Sequence, residues 1–274
     1  MITTNLESRV PLMLNAVKSL KNHEDVLGQK IMSVDMFPQG ELTLNWYRQF
    51  ESDGWNVLSK KVNTSGSMIL NQRNVISAAT SEVVLYMEDD ILVNQLPSLR
   101  TIQKLFTEKL VNGKKTGFIC FNNHVWSKFH ENPTHIIEFI HNVDNYITVD
   151  GDVFLVKSET IKDKYYLNFP ASITTKKLFF ELEDYAFIHK VGYGIEQALT
   201  GAWFDTKKDQ DYAVLISLKR EILDDIKSGK KITILDFYNY ANINFWNNDV
   251  SLRHEVTPGR KEGCGITKDM LAQL

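Results

Sequence analysis

Three consecutive acidic residues, Glu88, Asp89 and Asp90, follow a β-prone apolar run at 82–87. Adjacent carboxylates repel one another, so the cluster contributes nothing to folding by itself and is usually neutralised by a bound cation. Carboxylate oxygens are hard ligands, and they favour Mg²⁺ or Mn²⁺. A solvated acidic turn that caps the next helix is the alternative interpretation. The position of the acids at the end of a predicted strand favours a metal site.

Other polar side chains follow the earlier strands of the chain. Thr3 and Thr4 end a first short strand, Arg9 comes soon after them, and Asp35 ends the second apolar run. In an open parallel sheet, ligands bind beyond the carboxyl ends of the strands. These side chains are therefore expected to share a crevice with the acidic cluster, although Asp35 as an ordinary turn residue is the alternative.

The elements that must position these residues alternate in type over the first hundred residues. Apolar runs at 31–35, 55–58 and 82–87 predict strands, whereas residues 11–21 and 67–79 predict helices. Strands that alternate with helices of about ten residues indicate βαβ units and a mostly parallel sheet. The sequence therefore predicts an α/β fold.

The pattern changes near residue 95, and the second half mixes strands and helices. We expect one domain with two functional halves, residues 1–95 and residues 96–274, the latter ending in a polar tail. The predicted elements of the second half are a helix through Leu99, Ile102, Phe106 and Leu110, a strand at 116–121, a hairpin around Asp150-Gly151, an amphipathic helix at 212–226 and a late strand at 232–235.

Composition excludes several classes of protein. The 274 residues include 31 Lys and Arg against 34 Asp and Glu, and this balance argues against a general nucleic-acid binder. The two cysteines, Cys120 and Cys264, exclude a disulfide framework and a cysteine-based zinc site. The sequence has no apolar run of the roughly 18 residues that span a bilayer and no secretory signal. We therefore expect a cytoplasmic protein, docked peripherally if its substrate lies on a membrane.

One ordered set of residues resembles the nucleotide-sugar half of GT-A glycosyltransferases, both family 2 and the N-acetylglucosaminyltransferase I type. The set consists of Asn71-Gln72-Arg73-Asn74 on a helix, then Ala78-Ala79, then the strand that ends in Glu88-Asp89-Asp90. The resemblance covers roughly residues 2–205. It implies a GT-A fold with a Rossmann-like, mostly parallel central sheet, helices on both faces and a mixed acceptor-binding half.

The resemblance also implies a donor site for a nucleoside-diphosphate sugar, most commonly a UDP-sugar in these families. The residues that would contact the donor are Thr3, Thr4, Arg9, Asp35, Arg73, Asn74, Glu88, Asp89, Arg260 and Lys261. Asp90, Asp89 and His254 would hold Mn²⁺ or Mg²⁺. Capping or ion-pair roles for Arg73 and Asn74, and a plain surface position for His254, are the alternatives.

The segment Glu183-Asp184-Tyr185 resembles the one that carries the general base in inverting members of the family. Asp184, with Glu183 beside it, would accept the proton of an acceptor hydroxyl, and direct displacement would invert the anomeric configuration. The alternative is that both carboxylates begin a helix and offset its dipole. Trp203 is expected to pack in the core rather than to stack on a sugar.

Two other functions stay open from the sequence. A nucleotidyltransferase also combines an α/β sheet with acidic metal ligands, but residues 2–20 contain no glycine for a phosphate-binding loop. A non-catalytic nucleotide-sugar or carbohydrate-binding module would need the pocket without the base. The acceptor of a transferase would be a glycan, a lipid-linked sugar, a protein or a modified nucleic-acid base.

Overall fold

The computed structural model describes residues 1–61, 67–89, 91–120, 133–158, 160, 166–167, 171–189, 195–240 and 242–245. The strands are β1 (Ile2–Thr4), β2 (Lys30–Met36), β3 (Trp55–Lys61), β4 (Val83–Met87), β5 (Ile91–Val93), β6 (Lys115–Cys120), β7 (Tyr146–Val149), β8 (Asp152–Val156), β9 (Ala171–Thr175), β10 (Tyr212–Leu218) and β11 (Ile243–Phe245). The helices are α1 (Val10–Leu20), α2 (Leu44–Arg48), α3 (Ser67–Ala78), α4 (Leu99–Thr107), α5 (Pro133–His141), α6 (Lys176–His189), α7 (Ile195–Asp205), α8 (Lys208–Asp211), α9 (Glu221–Lys227) and α10 (Ile234–Asn239). None of the described helices is long and apolar enough to cross a membrane.

The first three strands form a parallel sheet in the order β1-β2-β3. Ile2 pairs with Ser33 of β2, and Lys30 of β2 pairs with Trp55 of β3. On its other side, Ile2 forms a parallel bridge to Glu88, just after β4. The chain therefore runs outward from β1 to β3 and returns on the opposite side of β1, so the strand order reverses between β1 and β4.

The second sheet has six strands in the order β4-β9-β6-β10-β8-β7. Only β6 and β10 are parallel neighbours in it, because β9 runs antiparallel to both β4 and β6, and β8 antiparallel to β10 and β7. The α/β class is confirmed: the first sheet is parallel, whereas the six-stranded sheet, which contains the strands of the second half, is mixed, as expected for that half. Its antiparallel pairs with β4 and β6 come from β9, which enters from a distant part of the sequence between two strands that share one direction.

Helices cover both faces of the strands. Successive residues of one strand lie in different cores, as Tyr86 and Met87 of β4 show, because side chains alternate across a sheet. The core beneath Met87 also contains buried residues of α1, α2 and α4. The core beneath Tyr86 contains buried residues of α3, α6 and α7, among them Trp203, which is fully buried as predicted.

Most predicted elements of the second half are present, but two are wrong. The segment predicted as a helix at 212–226 forms strand β10, followed by the separate helix α9. β10 is a nearly continuous buried apolar run, and spacing alone does not distinguish such a strand from a buried helix. The late strand predicted at 232–235 is also wrong, because α10 begins at Ile234.

A substitution at Gly117 of β6 tests the packing between the six-stranded sheet and α7. A β-carbon at Gly117 would lie 2.8 Å from Cη2 of Trp203 and 3.1 Å from Cδ2 of Leu178, both of which are buried. Gly117→Ala is therefore expected to lower the free energy of unfolding by about 1–3 kcal/mol, measured by urea denaturation. Gly28→Ala is the matched control, because no atom lies within 4 Å of that β-carbon. Equal stability of the two variants would contradict this packing.

Candidate functional site

Three predicted residues meet where β1 and β4 end. Asp89 follows β4, and its carboxylate accepts a hydrogen bond of 2.7 Å from the Thr3 hydroxyl and one of 3.3 Å from Nε of Arg9. The second carboxylate oxygen of Asp89 forms an ion pair with the same guanidinium. Asp89 and Thr3 are each 2% exposed, so the pair lies at a buried floor beneath the ends of the strands.

Asp35, at the end of β2, belongs to the same group of residues. Its carboxylate accepts a 2.6 Å hydrogen bond from Nδ2 of Asn71 on α3, and Oδ1 of Asn71 accepts one from the Ser33 hydroxyl. Burial raises the pKa of Asp35 to about 7, against the lowering effect of the Asn71 bond, and the charge of Asp89 raises it further. Asp35 pairs in register with Thr4 of β1, and Thr3 contacts Asp89, so the two carboxylates lie near each other at the ends of neighbouring strands.

The raised pKa of Asp35 predicts a pH-dependent stability. Below pH 4 the carboxyl group is protonated in both the folded and the unfolded chain, and between about 4 and 7 it is ionised only in the unfolded chain. The contribution of Asp35 to stability is therefore fully present at low pH and is lost as the pH rises through about 7. We expect the wild type to lose up to roughly 3–4 kcal/mol relative to Asp35→Asn between pH 4 and pH 8.

Urea denaturation of both proteins at several pH values measures this difference. The asparagine keeps an acceptor oxygen for Asn71 but does not titrate, and Asp205→Asn, at an exposed position, is the control. A constant stability difference between wild type and Asp35→Asn across pH 4–8 would contradict the assignment.

The loops around this crevice are tied down by side-chain contacts. The Asn5 side chain accepts a 2.8 Å hydrogen bond from the backbone N–H of Phe37 and donates one of 3.1 Å to the Phe37 carbonyl. Tyr47 of α2 donates a 2.6 Å hydrogen bond to the carbonyl of Thr4. The loop after β2, the turn after β1 and helix α2 are thus held together next to Thr3 and Asp35.

A second cluster joins α3 to α6. Nη1 of Arg73 lies 2.5 Å from Oε2 of Glu183 and 2.8 Å from Oδ1 of Asp184, and the guanidinium also lies 5.1 Å from the centre of the Phe180 ring. Glu183 is only 1% exposed, whereas the Asp184 side chain is 54% exposed. Both acids lie in the middle of α6, so the alternative that they begin a helix is wrong.

Burial and the ion pairs act in opposite directions on the pKa values of this second cluster. Burial raises the pKa of Glu183 to about 7, although Arg73 acts to lower that pKa and Asp184 adds to the rise. Burial alone would lower the pKa of Arg73, but the two carboxylates outweigh it and raise that pKa above its usual value. Oε1 of Glu183 is buried and has no hydrogen-bond partner among the described residues. The exposed member, Asp184, is therefore the one whose carboxylate reaches solvent.

α3 carries a residue of each cluster. Asn71 contacts Asp35 and Arg73 contacts the acids of α6, and residues two apart on a helix point in directions about 200° apart. The structure therefore groups Thr3, Arg9, Asp35 and Asp89, and it places Arg73 with Glu183 and Asp184 instead.

The remaining predicted residues have varied positions. Thr4 has a buried hydroxyl without a hydrogen-bond partner in the described ranges, Asn74 is exposed, and Glu88 is half-buried beside Ile2. Four predicted residues, namely Asp90, His254, Arg260 and Lys261, lie outside the described residues.

Few of the described side chains are placed where they could bind a divalent cation. Within the described ranges, no set of three or more His, Cys, Asp or Glu side chains is arranged to hold a metal. Both carboxylate oxygens of Asp89 already interact with Arg9 or Thr3. Direct ligation through Asp89 would require the Arg9 pair to open, so Asp89 fits a role that fixes Arg9 better than a role as metal ligand. Glu88 and Asp90, which flank Asp89 in the sequence, have carboxylate oxygens, the type of ligand that Mn²⁺ and Mg²⁺ prefer.

Ser33, Tyr47 and Asn71 were not predicted as site residues. Asn71 is fully buried on α3, and a buried amide is expected to have hydrogen-bond partners. The available signal was a polar residue one turn before the apolar pair Val75-Ile76 of α3, but its partner Asp35 lies 36 residues away. Comparison with models of known protein families gives no match, and comparison with curated proteins gives none either.

Proposed function

We propose that the protein is a metal-dependent glycosyltransferase that moves a sugar from a nucleoside-diphosphate sugar, with a UDP-sugar favoured, to an acceptor hydroxyl. One observation carries the proposal: Thr3, Arg9, Asp35 and Asp89 gather at the carboxyl ends of strands on both sides of the point where the strand order reverses. Nucleotides bind at such a switch point in open α/β sheets. The ordered set of residues that resembles GT-A enzymes lies on the same elements.

The negative charge of the donor's diphosphate complements the positive charge of Arg9. A guanidinium binds phosphate oxygens through paired N–H groups in a fixed plane. Asp89 holds that plane by contacting both Nε and a terminal nitrogen of Arg9, and Thr3 holds Asp89. The three residues therefore present a positioned cation at the floor of the crevice.

A divalent cation is part of the proposal. Asp90, with Glu88 and His254, would hold Mn²⁺ or Mg²⁺, and the ion would supply Lewis-acid neutralisation of the leaving diphosphate. Asp89 would contribute to donor binding indirectly, because its carboxylate fixes the guanidinium of Arg9.

Asp184 is proposed as the general base. The oxygen of the acceptor hydroxyl attacks the anomeric carbon, its proton passes to the Asp184 carboxylate, and the bond from that carbon to the diphosphate breaks with its electron pair on the diphosphate. Arg73 fixes the carboxylate at 2.8 Å, and the exposure of Asp184 leaves it accessible. A single displacement inverts the anomeric configuration.

A screen of nucleoside-diphosphate sugars with and without Mn²⁺ tests the proposal. We expect one nucleotide to raise the melting temperature, and we expect release of the nucleoside diphosphate to require Mn²⁺ or Mg²⁺ and to stop with chelator. Stabilisation without turnover, tested with glycan, lipid-linked and protein acceptors, would favour a non-catalytic binding module. The absence of any stabilisation or turnover would remove the proposal.

A further inference from the structure

Glu183 is a buried acid to which the proposed mechanism gives no role. Its side chain is only 1% exposed in the middle of α6, and Oε2 lies 2.5 Å from Nη1 of Arg73. The other oxygen, Oε1, is buried and has no hydrogen-bond partner among the described residues. Leaving a buried carboxylate oxygen without a partner costs stability, and an uncharged side chain of similar shape would cost less. Stability therefore does not account for a glutamate at this position.

The link between α3 and α6 does not depend on Glu183 either. At the start of α6, Nζ of Lys176 donates a 2.6 Å hydrogen bond to the carbonyl of Ala79, just after the end of α3. That link buries no carboxylate. At the other contact, the half-exposed Asp184 already pairs with Arg73 at 2.8 Å. The effect of Glu183 on Arg73 itself is therefore the feature that distinguishes it.

One nitrogen of Arg73 contacts both acids. Nη1 lies 2.5 Å from Oε2 of Glu183 and 2.8 Å from Oδ1 of Asp184. Its two hydrogens lie in the rigid plane of the guanidinium, so a bond from one hydrogen to Glu183 fixes the direction of the other. The Phe180 ring, centred 5.1 Å from the guanidinium carbon, packs against the same group. Glu183 and Phe180 together restrict how Arg73 is turned toward Asp184.

Arg73 contacts only one carboxylate oxygen of Asp184. That oxygen is Oδ1, and no described residue forms a hydrogen bond or an ion pair with Oδ2. Guanidinium and carboxylate groups frequently pair through two parallel N–H bonds, which would occupy both oxygens. The observed contact differs from that arrangement, because Nη1 is shared with Glu183.

We propose that Glu183 is a positioning residue: its carboxylate holds Arg73 on one oxygen of Asp184 and so leaves the other oxygen, Oδ2, to accept the proton of the acceptor hydroxyl. This inference rests on the proposed function, in which Asp184 is the general base. Glu183 does not touch the acceptor itself, because its side chain is buried. It needs its negative charge, since a neutral carboxyl group loses the Coulombic attraction that competes with Asp184 for the guanidinium.

The need for a charge on Glu183 makes the transfer rate depend on pH. Burial raises the pKa of Glu183 to about 7, although Arg73 lowers it, and Asp184 adds to the rise. Arg73 of α3 and Asp184 of the same helix are the charged groups that act on this pKa. The other buried titratable side chains in the core beneath α6 are Tyr86, Cys120 and Tyr166. Raising the pH through about 7 ionises Glu183, so kcat is expected to rise in that range.

The pH profile of kcat at saturating donor tests this inference. The wild type should rise about tenfold between pH 6 and pH 8, because a group with a pKa of about 7 is about one-tenth ionised at pH 6 and about nine-tenths ionised at pH 8. Glu183→Gln keeps an acceptor oxygen for Arg73 but no charge, so its kcat should be about tenfold or more lower at pH 8 and constant over this range. Asp35→Asn is the control for the other carboxyl group with a pKa of about 7, and it should keep the rise in kcat.

Melting temperatures report on the buried charge without donor or acceptor. Glu183 is protonated in the folded and the unfolded chain below about pH 4.5, and between about 4.5 and 7 it is ionised only in the unfolded chain. The wild type should therefore lose melting temperature relative to Glu183→Gln as the pH rises from 5 to 8, and a constant difference would overturn the buried charge that the inference needs. Equal kcat of wild type and Glu183→Gln at pH 8 would overturn the positioning role and leave the proposed function intact. A wild type without turnover at any pH would remove both.

Discussion

Asp184→Asn is expected to slow sugar transfer by about 10²–10⁴-fold, because asparagine keeps the shape of the side chain but does not accept the proton of the acceptor. The loss should fall on kcat at saturating donor, since Asp184 lies with Arg73 on α3 and α6 and not among the residues near Asp89. Steady-state kinetics with the donor found in the screen measure both constants.

Glu181→Gln is the matched control for this prediction. Glu181 lies on the same helix and pairs with Lys208 at 2.6 Å, so its loss tests whether any charge on α6 matters. We expect near-normal kcat for this variant. Near-normal rates for Asp184→Asn would remove the base assignment, and product with retained anomeric configuration, observed by NMR, would contradict the single displacement.

Asp89→Ala is expected to lower the free energy of unfolding by about 3–5 kcal/mol. The substitution removes the carboxylate that offsets the Arg9 guanidinium, and the two side chains are only 2% and 12% exposed. Removing one member of a buried pair leaves a charge with little access to water, which costs more than losing an exposed pair. Urea denaturation at constant pH gives the value.

A double-mutant cycle separates the pair from other effects of Asp89. Arg9→Ala and the double variant complete the cycle, and the double variant should lose much less than the two single losses combined. The exposed pair of Lys21 and Asp53, at 3.2 Å, is the control and should contribute less than about 1 kcal/mol. Additive losses at Arg9 and Asp89 would show that their contact does not couple them.

Local patterns predicted the first half of the fold better than the second. The runs that became β2 and β4 are short, apolar and followed by polar residues, and the structure has strands at both places. The sequence predicted a helix in place of β10 because Tyr212, Leu215 and Ile216 fit helical spacing. A strand that is buried on both faces is apolar at nearly every position, so it also contains residues at that spacing. Burial on both sides depends on distant elements, so the local pattern did not reveal it.

The sequence contains a local signal for the start of α10, in the spacing of Thr233 and Asp236. Thr233 and Asp236 bond reciprocally, with the Asp236 carboxylate accepting from the Thr233 amide at 3.0 Å and the Thr233 hydroxyl accepting from the Asp236 amide at 3.2 Å. This is a capping box, in which a Thr is followed three residues later by an acidic side chain. The apolar pair after Thr233 suggested a strand, but the spacing of the two polar residues predicts a helix start.

The sequence predicted which residues at the strand ends belong to the candidate site, but it did not predict which side chains contact one another. A parallel sheet brings its carboxyl ends together, so Thr3 and Asp89 meet although 86 residues separate them. The pairing of Arg73 with Glu183 spans 110 residues and depends on how α6 packs against α3. No spacing within either helix encodes that contact, so the sequence predicted both residues but not their pairing.

The place of β9 between β4 and β6 has a consequence for synthesis of the chain. About 80 residues separate the end of β4 from the start of β9. At about 5–20 residues per second, a ribosome needs roughly 4–16 s to produce the partner of β4. During that interval the apolar strand Val83–Met87 has no β9 beside it, and exposed strand edges are sites of aggregation. That edge of β4 is therefore open to incorrect pairing until the residues of β9, up to Thr175, have been synthesised.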